Sequence, residues 1–269
     1  MPLIGLENKT FESDFNSIAM MITIGENFAF SRFSDGEVFM MQGQEIVMAK
    51  DYCKVKGVVH MGIGFPEDDY KNFNPDDHGF YRNKLEEAFV HRQHNFIKGL
   101  SCRCCIGEKD WEWQLNLLRK GYDDLDWNNL SWSNLFINAN YLKFVDIMPS
   151  LFAKRKIVMT MNKNANLQDL PFNIVKDFRV GPNCIVNDYG IIEEMISWIE
   201  KENIQNHLFL FAASSLSNMA IHQLYQRFPN NTYIDIGSAL NPFVSGIRST
   251  RNYMRQLDSK KVEYKPCIW

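Results

Sequence analysis

No stretch of these 269 residues approaches the roughly 18 consecutive apolar positions that a membrane-spanning helix needs. The opening twenty residues, MPLIGLENKTFESDFNSIAM, also lack the basic start and continuous apolar centre of a secretory leader. Together these absences point to a soluble, cytoplasmic protein. Excess positive charge is missing too: 29 Lys and Arg stand against 32 Asp and Glu, for a net charge of −3. The basic residues are scattered apart from Lys154-Arg155-Lys156 and Arg248, Arg251 and Arg255. A nucleic-acid surface needs clustered Lys and Arg, so nucleic acid is not the expected partner. There is no repeat, no low-complexity tract and no linker, and one domain over 1–269 is expected. Within it, residues 1–24 carry an N-terminal helix and residues 250–269 form a C-terminal tail.

Several motifs are absent as well. The chain has no P-loop, no dinucleotide fingerprint and no G-x-S-x-G nucleophile elbow. Its six cysteines do not form a disulfide framework: Cys102, Cys104 and Cys105 crowd together while Cys53, Cys184 and Cys267 lie far apart. With His91 and His94 the crowded group invites a zinc reading, but it lacks the two spaced ligand pairs typical of structural zinc. In an extended strand Cys102 and Cys104 would share one face and Cys105 would point away. The expectation is small cysteines buried in a core strand.

What is present is apolar. Hydrophobic residues make up 45% of the chain and aromatics 13%, enough for a large core. The spacing of Phe11, Phe15, Ile18, Met21 and Ile22 predicts a helix ended by Gly25. NFAFSRF reads as a strand, KGVVHMGIG as another, FPEDDYKNFNPDDHG as a long surface loop, 80–98 as a helix and LSCRCCIG as a strand. The second half alternates strands (RKIVMTM, FNIVKDFRVG, HLFLFAAS, NTYIDIG) with helices (GIIEEMISWIEKEN, SLSNMAIHQLYQRF). Continuous apolar strands between amphipathic helices predict a mostly parallel, Rossmann-like α/β sheet covered on both faces. Ligands bind such sheets along the edge where the strands end, so function should sit in the turns there.

Three of those turns are chemically suggestive. In SRFSDGE, Ser34 and Glu37 have the spacing of a capping box, and Asp35 suits the first turn of a helix. The same turn offers Asp35 and Glu37 to Mg²⁺ or Mn²⁺, Gly36 for close approach, and Arg32 for phosphate. In FAASSLSN, Ser214 and Ser215 stand between a buried strand and a helix, where they either cap or receive phosphate. In YIDIGSALNP, Asp235 and Gly237 resemble the first motif of adenosylmethionine-dependent methyltransferases, and Asp235 equally suits a ribose or sugar hydroxyl. The Trp-rich stretch DWEWQLNLLRKGYDDLDWNNLSW is expected to serve core or interface rather than sugar stacking.

Taken together and in this order, the three turns resemble the GT-D-type glycosyltransferase family, and NLFINANYLKF and KRKIVMTMNKN extend the resemblance over roughly residues 26 to 250. Ser34 departs from the Gly common there. The resemblance implies a nucleotide-sugar donor, commonly a UDP-sugar, and a hydroxyl acceptor on a glycan, glycoprotein or glycolipid. It places metal and donor diphosphate at Asp35 and Glu37. Arg32, Ser34, Gly36, Ser214, Ser215, Asp235, Gly237 and Ser238 would then bind donor. A general base is also required; Asp188 is one choice, and Asp68, Asp69, Asp76 and Asp77 are others. Two competing readings are a methyltransferase using Asp235-Ile236-Gly237 and a non-catalytic nucleotide- or carbohydrate-binding module.

Overall fold

The computed structural model describes residues 9–120, 129–246 and 251–269. Its first helix, α1 (Phe11–Ile24), is bounded by local chemistry at both ends. Thr10 and Ser13 form a reciprocal cap at its start. At its end Gly25 takes φ +79°, and the Gly25 and Glu26 N–H groups return to the carbonyls of Ile22 and Met21. Phe11, Phe15, Ile18 and Ile22 share its buried face.

Strand β1 (Ala29–Phe33) leads directly into α2 (Asp35–Met41). A small antiparallel meander follows: β2 (Ile46–Met48), β3 (Tyr52–Val55), β4 (Val58–Met61) and β5 (Lys71–Phe73), ordered β4-β3-β2-β5. Then come α3 (Gly79–Val90), β6 (Phe96–Leu100), α4 (Arg103–Ile106), α5 (Glu108–Arg119), β7 (Leu130–Trp132) and α6 (Tyr141–Phe152). The second half adds β8 (Ile157–Asn162), β9 (Ile174–Val180), α7 (Cys184–Asn187), α8 (Ile191–Glu202), β10 (Leu208–Phe211), α9 (Leu216–Arg227), β11 (Thr232–Asp235) and α10 (Gln256–Ser259). No helix among the described residues is long and apolar enough to cross a membrane.

Seven strands form one parallel sheet in the order β7-β6-β1-β11-β10-β8-β9. Successive side chains of its central strands feed two different cores, as the pleat requires. Phe33, Phe209, Phe211 and Tyr233 join one core with α3, α5, α8 and α9. Phe30, Leu208, Leu210 and Ile234 join the other with α1, α6 and the C-terminal tail. A sheet buried on both faces explains why these strands read as unbroken apolar runs.

The expected parallel α/β sheet is therefore what forms, with three local differences. The acidic loop contains a strand: Lys71–Phe73 pairs with β2, so KGVVHMGIG and FPEDDYKNFNPDDHG contribute to a second sheet. The helix expected over 80–98 stops at Val90, because Phe96–Leu100 pairs with β1 as a strand. The cysteine stretch leaves the sheet after Leu100 and turns into α4.

Candidate active site

The chain leaves β1 toward β6 on one side, while β11, the other neighbour of β1, is reached from β10. The crevice beyond the ends of β1 and β11 is thus a topological switch point, the usual ligand position in an open α/β sheet. A cavity of about 590 Å³ opens there, a volume suited to a small organic ligand. Strand ends supply one wall, the small meander another, and the C-terminal tail a third.

Turn by turn, the sequence expectations separate. After β1, the Ser34 N–H donates to Glu37 Oε2 at 3.0 Å, the local half of the capping box. Glu37 Oε1 accepts the Ser215 hydroxyl at 2.5 Å from the turn before α9. Both oxygens of this 7% exposed carboxylate are thereby engaged, and they join two strand-end turns that are 178 residues apart. Asp35 behaves differently. It is exposed to the cavity, its Oδ1 accepts the Gly36 N–H at 2.9 Å, and its Oδ2 has no hydrogen-bond partner among the described residues. The D-x-E pair thus divides into one inward-bound and one outward-facing carboxylate.

After β11, Asp235 is 6% exposed and its Oδ1 accepts the Gly237 N–H at 2.9 Å. Burial pushes its carboxyl up to about 7; the Arg32 guanidinium pulls it down and Glu37 pushes it up further. Gly237 sits at φ +54°, and a Cβ there would lie 2.0 Å from Arg32 Nη1. The glycine of Asp-x-Gly therefore makes room for the Arg32 guanidinium. Arg32 reaches Ser34 Oγ at 3.5 Å, while its buried Nε has no partner. Its backbone is fixed by Asn218, whose Nδ2 donates to the Arg32 carbonyl at 2.6 Å and to Ser31 Oγ at 3.0 Å.

Beyond β10, Ser214 takes φ +48° and lines the cavity, whereas Ser215 is wholly buried on Glu37. Ser215 is thus withdrawn from the donor-contacting role suggested by the sequence. Ser238 lines the cavity and shares a 2.7 Å hydrogen bond with the Tyr253 hydroxyl of the tail. Asp188 lies outside the lining. Its Oδ2 accepts the Gly181 N–H at 2.8 Å and holds the turn after β9. Among the acidic-loop residues, Asp68 and Asp69 line the cavity; Asp77 is tied to Asn74, and neither it nor Asp76 lines it.

Other lining residues were not evident from sequence. Lys71 of β5 places its ammonium over Gly36, 3.8 Å from where a Cβ would stand. Tyr253 and Tyr264 arrive from the tail, and Arg251 pairs with Asp69 at 3.5 Å. Arg248 lies outside the described residues. Lys71 carried no motif signal, because its strand is only three residues long. The Trp-rich stretch is largely core, with Trp111 and Trp132 each 1% exposed; Trp127 is not among the described residues.

Three solved structures resemble this fold. Two are of domain of unknown function 1792, one in a selenomethionine-substituted form and one described as having a distinct glycosyltransferase fold. Each has a TM-score of 0.51 and 12% identity, over 93% of this chain and 79% of the other. The third is described as a new glycosyltransferase from Streptococcus sanguinis, with a TM-score of 0.53 and 12% identity over 94% and 85% of the two chains. This chain has a glycosyltransferase fold. No protein-family model and no curated protein matches it in sequence.

Proposed function

We propose that the protein is a glycosyltransferase that moves a sugar from a nucleotide-sugar donor, a UDP-sugar first among them, to a hydroxyl of a glycan or glycoconjugate. One observation carries this reading: at the switch point of a glycosyltransferase fold, one cavity gathers Arg32, Asp35, Ser214, Asp235 and Gly237 from the ends of three adjacent strands.

The donor set fits a divalent cation, Mn²⁺ or Mg²⁺. Hard cations take one or two protein carboxylates and complete their shell with water and phosphate oxygens. Asp35 has the open oxygen for that role, and Glu37, with both oxygens engaged, positions the turn instead. When bound, such an ion neutralises charge on a diphosphate. The remaining work falls to the chain's own groups. Arg32 lines the cavity, and Lys71 adds a second cation over Gly36. Both counter the negative charge that grows on a leaving diphosphate as the sugar–phosphate bond breaks. Asp235, with its carboxyl near 7, leaves Arg32 incompletely neutralised around neutral pH, so the arginine keeps charge to offer an anion.

Nucleotide release from UDP-, GDP- and dTDP-sugars, with Mn²⁺ and then with chelator, tests the proposal. The expected result is chelator-sensitive release from one donor. Binding of adenosylmethionine in place of any nucleotide sugar would overturn it.

A further inference from the structure

The tail does more than line the cavity; it also completes a cluster of thiols beyond the end of β6. Cys102 stands at the start of α4, and Cys104 and Cys105 lie within it. The turn from extended backbone at Cys102 into α4 brings the three sulfurs together. Cys102 Sγ is 3.0 Å from Cys104 Sγ and 3.3 Å from Cys105 Sγ. Cys267, 162 residues beyond Cys105, brings a fourth sulfur to 4.0 Å from Cys105 Sγ. All four sulfurs lie within 4.8 Å of one another.

We propose that Cys102, Cys104, Cys105 and Cys267 bind a structural zinc ion that fastens the C-terminal tail to the edge of the sheet. A Zn–S distance of about 2.3 Å in a tetrahedron separates sulfurs by about 3.8 Å, within the range seen here. An iron–sulfur cluster places several atoms between its cysteines and needs them further apart. Four protein sulfurs leave no open position, which is the pattern of a structural rather than a catalytic zinc. Binding forms four Zn–S bonds and releases the thiol protons to water.

The surroundings support a fixed site. Asn134 is 8% exposed and donates from Nδ2 to Cys267 Sγ at 2.9 Å and to Cys105 Sγ at 3.7 Å, the kind of outer hydrogen bond that orients metal ligands. Two residues past Cys267, the Trp269 ring stacks on Trp132 at 4.4 Å and 26°, so the tail is already docked beside the thiols. Cys104 and Cys105 are exposed and give the ion a way in. Because Arg251, Tyr253 and Tyr264 lie in the same tail, an ion at its end would also steady one wall of the cavity. The inference is independent of the glycosyltransferase reading.

The test is the metal content of the full chain, purified with zinc in the medium and without chelator or metal-affinity resin. The expected result is about one zinc per chain by mass spectrometry of the metal, released when a mercurial blocks the thiols. Co²⁺ exchange should give the visible absorption of a tetrahedral thiolate site. Stripping the metal with a chelator should open the segment 251–269 to protease, and Cys267→Ser should do the same. If that variant fails to fold, the zinc content and cobalt spectrum of the unaltered protein still decide. Four free thiols with no zinc, iron in place of zinc, or a disulfide among the four would each overturn the proposal.

Discussion

The turns after β1 and β6 lie side by side, for Phe33 and Leu100 are paired in register and Ser101 Oγ donates to the Phe33 carbonyl at 3.2 Å. Both carry a short run of potential metal ligands, yet they differ in where their partners come from. In the first turn, the cap on Ser34 and the open carboxylate of Asp35 arise within four residues, and a sequence window sees them. In the second, three thiols are local and the fourth comes from the far end of the chain. A local window therefore suffices to find the cap of the first turn, whereas the fourth thiol of the second lies beyond any such window.

The comparison is sharpened most by separating the two carboxylates of the first turn. Asp35→Ala should lower donor turnover by at least about 100-fold, the scale on which charge stabilisation of a leaving group acts, while thermal stability changes little. Glu37→Ala should do the reverse in its primary effect. It orphans the Ser34 N–H and the Ser215 hydroxyl and should cost about 2–4 kcal/mol of stability, read by denaturant unfolding. If Glu37→Ala kept full stability while losing metal dependence, the division of labour within the pair would be wrong.

A pH-dependent effect is expected at Asp235. Its folded carboxyl is raised to about 7 from the ordinary 3.8, so between those pH values the folded state holds a proton that the unfolded chain has lost. The stability this group contributes is therefore full below about 4 and declines as pH rises toward 7, by at most about 1.4 kcal/mol per pH unit. Asp235→Asn should flatten that part of the Tm–pH curve; an unchanged slope would mean that the carboxyl is not held protonated. The smallest effect belongs to Asp188→Ala. Loss of the bond to Gly181 N–H should cost about 1 kcal/mol and leave turnover nearly unchanged, whereas a general base would lose activity by orders of magnitude.

The parallel sheet was legible because both of its faces are buried: Leu208–Phe211 is apolar throughout, Ile157–Asn162 is buried at every position, and such strands stand out between helices. Of the meander only KGVVHMGIG, which holds β4, was read as a strand; β2, β3 and β5 were not. Its strands are three or four residues long, too short for a periodicity of their own. The site followed the same division. Arg32, Asp35, Asp235 and Gly237 sit at the ends of legible strands, while Lys71 comes from the meander and Tyr253 and Tyr264 from a tail without regular pattern. Ser215 and Glu37 were visible as residues but not as partners, since only the fold brings them within 2.5 Å. Asp188 looked catalytic because it follows a strand, yet its carboxylate turns back onto its own loop.

Calorimetric titration of UDP into the protein with Mn²⁺ present, repeated with Asp35→Ala, tests the central claim most directly. The account predicts saturable binding by the unaltered protein that weakens at least about tenfold in the variant, a loss of about 1.4 kcal/mol. Equal Mn²⁺-dependent affinity in the two proteins would contradict the assignment of Asp35 to the cation and of this cavity to the donor.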